Sequence, residues 1–334
     1  MIFQPAIIAL LLAAGLSLLM LLAAAPFAVQ VIRHWDITSG SERQLRLERL
    51  TYLFSTLVAF VCGIQLLAAL LFVFNADKMS VMFVGAMCAV GALNVNPYGF
   101  PSLYAQLSLF FLAAMWLAVN HVDNQARDYP LVKLKYRLLL AYAPLLAIGF
   151  ALQLQYFLGL KADVITSCCG SLFSSDVPTL ASEVSALEAK PALLTFYGTL
   201  ATAIGLAAWH WQQPGKLNGY ATGASALAAF VASIGGILAF VSLYIYEHPH
   251  HHCPFCILKP EYDYQGYALY LPLFAATAAG LAVGVLRLFA AHPSLVQIVP
   301  ATSRRLAGVA ALCYGIFALI ATWMIWHSNL ILLE

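Results

Sequence analysis

Charged side chains are scarce in this chain: Asp, Glu, Lys and Arg make up 9% of its 334 residues, while hydrophobic residues make up 63%. A soluble globular protein carries about 25% charged residues. The deficit excludes an ordinary soluble protein and places the chain in a lipid bilayer. We therefore expect membrane lipid as a partner and no nucleic acid.

Long apolar runs dominate the sequence. About 20 residues are needed to cross the ~30 Å hydrocarbon core. The predicted fold is therefore all-α, a polytopic bundle of about eight transmembrane helices. We divide it into an N-terminal three-span region (1–136), a four-helix region (137–290) and a C-terminal span (291–334). The eight runs lie at about 5–32, 51–74, 102–120, 138–160, 191–211, 221–246, 267–290 and 306–327.

Positive charge is missing from residues 1–4, where a signal peptide would carry it. The apolar run that follows is also too long for the hydrophobic part of such a peptide. We therefore expect the first run to be retained as a membrane span.

Basic residues are distributed unevenly between alternate loops. One set of loops contains twelve Lys and Arg residues, and the other contains only Lys78, Lys161, Lys190 and Lys259. Cytoplasmic loops carry the excess of basic residues. The bias places both chain ends outside, and in a bacterium it predicts an inner-membrane protein whose cysteine-containing loops face the oxidising periplasm.

A ninth apolar run, 79–95, is short and is interrupted by glycine, asparagine and proline up to residue 101. If this run crossed the membrane, the basic cluster at 127–137 would lie outside. We therefore predict a re-entrant or interfacial element at 79–101 on the outer face, covered by other helices.

The middles of the predicted spans contain none of the thirty Asp, Glu, Lys and Arg residues. Such residues usually mark ion paths or proton relays, so their absence argues against an ion-coupled transporter. The spans also lack a histidine pair for a b-type haem. Cys62 and Cys313 are expected to be packing residues. Close helix packing is expected at Gly235-Gly236 and at Gly198 with Gly205.

The strongest motif is Cys253-Pro254-Phe255-Cys256, preceded by His250, His251 and His252. Two thiols at this spacing can close a small disulfide ring or bind one soft metal. A first cysteine near a helix N-terminus would have a lowered pKa. The three histidines could stabilise a thiolate or supply imidazole ligands.

Other cysteines are predicted on the same face. Cys168-Cys169 is a vicinal pair, which rarely closes on itself, so one of the two is expected to pair elsewhere, with Cys253 or Cys256 as candidates. Cys88 lies in the predicted re-entrant element. It could face the same outer cavity, but packing is its expected role.

The order of parts between about 137 and 290 resembles that of the vitamin K epoxide reductase family and, more loosely, the DsbB disulfide-oxidising proteins. The resemblance implies a quinone beside the Cys253/Cys256 pair. It also implies a loop pair, Cys168-Cys169, that exchanges disulfides with a thioredoxin-fold partner. The family's loop cysteines are separated by several residues, whereas these two are adjacent. Residues 259–263 also separate the motif from the next span.

The first functional hypothesis is a thiol–disulfide oxidoreductase that exchanges electrons between outer-face thiols and a membrane quinone. Its partner would be a periplasmic thioredoxin-fold or thiol-containing protein. The expected catalytic residues are Cys253, Cys256, Cys168 and Cys169. Aromatic residues could line the quinone pocket, although such residues also serve as interface anchors. The main candidates are Phe255, Tyr262, Tyr264 and Tyr267, and Tyr270 is a further one.

Two alternatives remain open from the sequence. A soft metal such as Cu, Zn or Hg could bind His250, His251 and His252 together with Cys253 and Cys256, in a metal-handling or assembly protein. Alternatively, the outer cysteines could staple two loops of a structural subunit in a complex with other membrane subunits.

Overall fold

The structure, a computed structural model, describes residues 3–161, 164–166 and 187–332. Within these ranges eight helices are long and apolar enough to cross a membrane. This confirms the predicted all-α polytopic class. Because lipid offers no hydrogen-bond partners to the backbone, apolar runs satisfy their N–H and C=O groups by forming helices.

The first five helices are α1 (Pro5–His34), α2 (Glu42–Met79), the short α3 (Ala89–Leu93), α4 (Gly99–Gln125) and α5 (Val132–Leu158). The remaining helices are α6 (Ala189–Gln212), α7 (Lys216–Gly236), the short α8 (Ser242–Tyr246), α9 (Gln265–Arg287) and α10 (Ile298–His327). A π-helical turn, Ile237–Val241, joins α7 to α8, so that these elements form one apolar rod.

The ninth apolar run does not form a spanning helix. A 3-10 turn, Ser80–Met82, follows α2, and the chain then turns before the five-residue α3. All five residues of α3 are buried. The broken backbone agrees with the expected interruption of this run by glycine, asparagine and proline.

The described residues group into two compact units. The N-terminal unit comprises residues 1–75, 95–161 and 289–299, and the cysteine unit comprises residues 76–94, 162–288 and 300–334. In the N-terminal unit α5 packs against α1 and α4. In the cysteine unit α7 packs between α6 and α9, and α10 contributes Tyr314 and Phe317 to the same buried core.

The compact units divide the chain differently from the predicted regions 1–136, 137–290 and 291–334. The α5 helix belongs to the N-terminal unit because its buried face, which includes Tyr136 and Leu139, packs in a core with Trp116 of α4. The α10 helix joins the cysteine unit instead: the Tyr314 hydroxyl donates to the Ala226 carbonyl of α7 over 2.8 Å. The four spanning helices of the cysteine unit are therefore α6, the α7–α8 rod, α9 and α10.

Small residues bring α7 and α9 close together. A Cβ atom on Gly223 would lie 2.8 Å from the Cα atom of Gly284. Gly236 is equally restricted, since a side chain there would overlap the Phe196 ring, as expected for close packing. The expectation for Gly198 and Gly205 was wrong, because nothing lies within 4 Å of a Cβ atom at either position.

Candidate thiol site

The two cysteines of the C-x-x-C motif lie in the loop 247–264 between α8 and α9, which we call the motif loop. Within it Cys256 begins a 3-10 turn, Cys256–Leu258, and a second turn follows at Pro260–Tyr262. These turns carry the cysteines inward, so that Cys253 is 0% exposed and Cys256 is 4% exposed. The ends of the loop turn sharply through left-handed backbone at Glu247, Asp263 and Tyr264.

A third cysteine completes the site. Cys88 precedes α3 and is 0% exposed, and its Sγ atom lies 3.4 Å from the Sγ atom of Cys253. The sulfur atoms of Cys88, Cys253 and Cys256 all lie within 4.8 Å of one another. All three are in the thiol form. We call this group the thiol cluster.

The thiol cluster was only partly predictable. The C-x-x-C spacing identifies Cys253 and Cys256, whereas Cys88 was expected to be a packing residue. The contact joins positions 165 residues apart in the chain. The one available signal was that Cys88 lies in the broken run 79–101, which the topology places on the same membrane face as the motif.

Two tyrosines hold the backbone of the motif. The Tyr246 hydroxyl donates to the Cys253 carbonyl over 2.5 Å, and the Tyr270 hydroxyl donates to the Pro254 carbonyl over 2.7 Å. Tyr246 ends the helix before the motif loop, and Tyr270 lies in the second turn of α9. Tyr246 was not among the predicted site residues, since a tyrosine at a span end is ordinarily an interface anchor.

The first turn of α9 presses against the motif. A Cβ atom on Gly266 would lie 2.8 Å from the side chains of Ile257 and Leu258. Glycine at this position therefore lets the 3-10 turn after Cys256 approach the helix. Because Ile257 and Leu258 are both buried, this contact fixes the position of Cys256 within the core of the cysteine unit.

The surroundings of Cys253 favour its neutral thiol. The hydrogen bond between the thiols of Cys256 and Cys253, together with burial, raises the pKa of Cys253 well above its ordinary value. The contact with Cys88 acts in the opposite direction. The expected lowering of the pKa by a helix N-terminus does not occur, because α8 ends at Tyr246 and α9 begins only at Gln265.

The three predicted histidine ligands lie outside the thiol cluster. Among the described residues, the candidate metal-binding group consists only of cysteines. The His251 ring stacks on Tyr246 with centroids 4.0 Å apart, and burial lowers its pKa. His252 Nδ1 lies 2.8 Å from the Leu238 carbonyl oxygen, and His250 is exposed. The histidines therefore support the motif loop instead of extending the sulfur group.

The predicted quinone-pocket residues fall into separate contacts. Tyr262 meets Tyr246 edge to face, with centroids 4.7 Å apart, and is half-buried. Tyr264 and Tyr267 form another pair at 6.3 Å, in which Tyr264 is exposed. Phe255 is half-buried within the motif itself. All four residues remain close to the motif in sequence.

Cys168 and Cys169 lie outside the described residues, but the chain just before them is anchored beside Cys88. The Thr166 amide donates to the Val84 carbonyl over 2.9 Å, and its hydroxyl donates to the Gly91 carbonyl over 3.0 Å. Gly85 has a φ of +85°, and a Cβ atom there would overlap the Thr166 carbonyl oxygen. Glycine is therefore required for this approach.

Asp77 fixes the start of the Cys88 helix. Its carboxylate accepts a hydrogen bond from the Ala89 amide, directly after Cys88. Lys259 of the motif loop reaches the same region, where its ammonium group lies 3.5 Å from the Ser80 hydroxyl. These contacts connect the end of α2 with both cysteine-bearing segments of the cysteine unit.

The remaining described cysteines take no part in the thiol cluster. Cys62 is buried in the core of the N-terminal unit, and Cys313 is half-buried against the core of the cysteine unit. Both are packed among apolar residues, as expected for lone cysteines within spans.

Comparison of the chain with protein-family models, with curated proteins and with solved structures gave no match.

Proposed function

We propose that the chain is a membrane thiol–disulfide oxidoreductase that exchanges electrons between thiols outside the membrane and a quinone within it. The observation that carries this proposal is the contact of Cys253 with a second and a third buried thiol. A disulfide bond is about 2.05 Å long, so the sulfur atoms of Cys88 and Cys253 need to approach by only about 1.4 Å to bond. Cys253 can thus pair with either Cys256 or Cys88.

The electrons balance over two half-reactions. Two thiols of an outer partner reduce the Cys253–Cys256 disulfide by way of mixed disulfides, and the partner acquires a disulfide. The resulting Cys253 and Cys256 thiols then give two electrons and two protons to a quinone, which becomes a quinol. Phe255, Tyr262, Tyr264 and Tyr267 are the proposed quinone contacts.

The loop pair Cys168-Cys169 is the proposed relay to the partner. Thr166, which precedes Cys168 by two positions in the sequence, is bonded to the segment that carries Cys88, and this supports the proposed role. The resemblance to the vitamin K epoxide reductase and DsbB proteins supports the same order of transfer.

The proposed location is a bacterial inner membrane with the thiol cluster toward the periplasm. The twelve-to-four distribution of basic residues supports this orientation. A periplasmic thioredoxin-fold or other thiol-containing protein is the proposed partner, because such proteins exchange disulfides through exposed thiols.

Quinone reduction by the purified chain tests the proposal. The reduced chain, in lipid nanodiscs, is mixed with a short-chain ubiquinone, and quinol formation is followed by absorbance. Cys256→Ser and Cys253→Ser are each expected to abolish quinol formation, because neither variant can give up two electrons by closing the Cys253–Cys256 disulfide. Cys62→Ser and Cys313→Ser are matched controls that should keep quinol formation. Unchanged quinol formation in both Cys253→Ser and Cys256→Ser would contradict the proposal.

A disulfide map tests the role of Cys88 directly. Mild oxidation of a Cys168→Ser/Cys169→Ser chain should yield both Cys253–Cys256 and Cys88–Cys253 disulfides in non-reducing peptide mapping. Cys62 and Cys313 should remain alkylatable in the same digest. Recovery of Cys88 only as a free thiol would remove it from the reaction.

A second candidate function, soft-metal binding, is favoured by the geometry of the same three sulfur atoms. Thiolates that share one metal at about 2.3 Å lie about 4 Å apart, which is compatible with sulfur atoms within 4.8 Å of one another. Three thiols suit Cu(I) in particular, since soft thiolate ligands select it. The proposed ligands are therefore Cys88, Cys253 and Cys256.

Elemental analysis separates the two candidates. About one copper per chain that disappears in Cys88→Ser, with all three cysteines reduced, would favour the metal site. Reversible oxidation of Cys253 and Cys256 without stoichiometric metal would favour the oxidoreductase. His251→Ala should leave copper content unchanged, because its ring packs on Tyr246.

A further inference from the structure

Arg287 is a buried cation that has no ion-pair partner among the residues the structure describes. It lies in the last turn of α9 and is 8% exposed. Among the described residues, no hydrogen-bond partner reaches its Nε or Nη1 atoms. A buried charge that lacks an ion pair and leaves two of its donor nitrogens without hydrogen bonds is strongly unfavourable. Such a group is therefore expected to have a partner under working conditions.

The ends of four helices meet around this arginine. A side chain on Gly219, in the first turn of α7, would overlap the Arg287 side chain and lie 3.0 Å from the ring of His210 at the end of α6. The His210 ring nitrogens lie 2.9 Å from Asn218 Oδ1 and 3.1 Å from the Ser303 hydroxyl of α10. Both ring nitrogens of His210 thus have neutral hydrogen-bond partners, and the ring offers no negative charge to Arg287.

The four helices that meet at Arg287 contain no carboxylate. Residues 189–246 and 264–333 contain no Asp or Glu. Further positive charge lies nearby instead, since Arg304 and Arg305 directly follow Ser303 and are exposed. Lys216, three positions before Gly219, is also exposed. The local charge is therefore positive on α7, α9 and α10.

We propose that Arg287 is the centre of an anion site that binds a phosphate group at the ends of these helices. The planar guanidinium group can offer Nε–H and Nη–H together to two oxygen atoms of one phosphate. Arg304, Arg305 and Lys216 add longer-range attraction. The phosphate comes from a phospholipid headgroup or from a free phosphate ion, and basic residues at span ends favour anionic lipid on the predicted cytoplasmic side. This site is independent of the thiol cluster.

The first experiment measures thermal unfolding of the full chain in three media. The media are phosphatidylcholine nanodiscs, nanodiscs that also contain phosphatidylglycerol, and phosphatidylcholine nanodiscs with added inorganic phosphate. A rise in Tm with phosphatidylglycerol alone identifies the lipid as the source, and a rise with inorganic phosphate identifies the free ion. No rise in either medium overturns the proposal.

Variants then separate a site from general surface charge. Arg287→Gln should abolish the rise in Tm and weaken retention of the anionic lipid in native mass spectrometry roughly 10- to 100-fold. Arg304→Gln removes the same charge from an exposed position and should keep most of the effect. Equal responses of the two variants would show that only bulk charge is at work and would overturn the site.

Two further variants cover the case in which Arg287→Gln does not fold. Arg287→Lys keeps the charge but loses the paired donors, so lipid retention should fall while the fold is kept. Gly219→Ala would place a methyl group against the arginine side chain and should reduce retention in the same way. Retention at the wild-type level in both variants would exclude Arg287 as the anion ligand.

Discussion

At the scale of single residues, Cys253 is the centre of the candidate chemistry. Its thiol contacts the Cys88 thiol and forms a hydrogen bond with the Cys256 thiol. Its carbonyl oxygen accepts a hydrogen bond from the Tyr246 hydroxyl. Each of these contacts comes from a different segment of the cysteine unit. The raised pKa of Cys253 favours its neutral thiol, so reactivity depends on removal of a proton from a buried sulfur atom.

The raised pKa of Cys253 predicts a pH dependence. Because the thiolate is the reactive form, alkylation of Cys253 should rise about tenfold per pH unit between about pH 7 and 9 without levelling off. A model thiol should level off near its ordinary pKa of about 8.5. Iodoacetamide labelling followed by peptide mapping measures the slope, and a plateau below about pH 9 would contradict it.

The raised pKa of Cys253 also makes the stability of the reduced chain depend on pH. Above about pH 8.5 an unfolded cysteine loses its proton, whereas folded Cys253 retains it. The free energy of unfolding of the reduced chain should therefore fall as pH rises through this range, by at most about 1.4 kcal/mol per pH unit. Cys253→Ser should reduce the slope by the contribution of this residue.

A buried ion pair in the N-terminal unit gives a second residue-scale prediction. Lys135 Nζ lies 2.8 Å from Asp123 Oδ2, and both side chains are at most 1% exposed. Asp123→Asn leaves the lysine unpaired and should cost about 3–5 kcal/mol of unfolding free energy. Unfolding in SDS measures this loss, and Asp123→Asn/Lys135→Met should recover part of it. Equal stability of the single variant and wild type would contradict the prediction.

At the scale of elements, the motif loop is held in place by the helices at its two ends. Tyr246 and Tyr270 bond its backbone, and Gly266 lets α9 contact the turn that follows Cys256. Cys253 and Cys256–Leu258 are therefore part of the core, although the loop is polar and irregular in sequence. The contacts of Tyr246, Tyr270 and Gly266 thus hold the sulfur atoms of the thiol cluster close together without a disulfide bond.

Gly266→Ala tests this support against a matched control. The added methyl group would meet Ile257 and Leu258, so we expect a loss of about 1–3 kcal/mol and a weaker Cys88–Cys253 disulfide yield. Gly198→Ala, in an open position on α6, should be neutral or stabilising by up to about 1 kcal/mol. Thermal unfolding and disulfide mapping measure both effects. Similar behaviour of the two variants would contradict the proposed contact.

At the scale of the whole molecule, basic residues predict the orientation of the eight spans. The N-terminal and cysteine units both contain loops of the basic set. If the bias determines insertion, the loop between α1 and α2 is cytoplasmic and the end of α10 is outside.

Single cysteines test this topology in intact cells. In a Cys168→Ser/Cys169→Ser background, Ile331→Cys should react with a membrane-impermeant maleimide, whereas Gly40→Cys should react only after lysis. Both positions are exposed, so burial does not separate them. The opposite labelling pattern would invert the orientation and place the thiol cluster on the cytoplasmic side.

The sequence by itself determined the eight spans, the broken run after α2 and the C-x-x-C pair. These features are local: a span needs only enough consecutive apolar residues, because lipid forces the backbone to bond within the helix. Cysteine spacing is equally visible along the chain. The sequence did not reveal which lone cysteine would matter, since Cys62, Cys88 and Cys313 look alike in apolar surroundings.

The tertiary structure alone decided three matters. It brought Cys88 to Cys253, left the histidines out of the sulfur group, and grouped α10 instead of α5 with the cysteine unit. The first and the third depend on side-chain contacts between segments far apart in the chain, such as the hydrogen bond from Tyr314 to α7. The length of an apolar run is enough to place a helix in the membrane, but side-chain packing at the helix–helix contacts determines which helices become its neighbours.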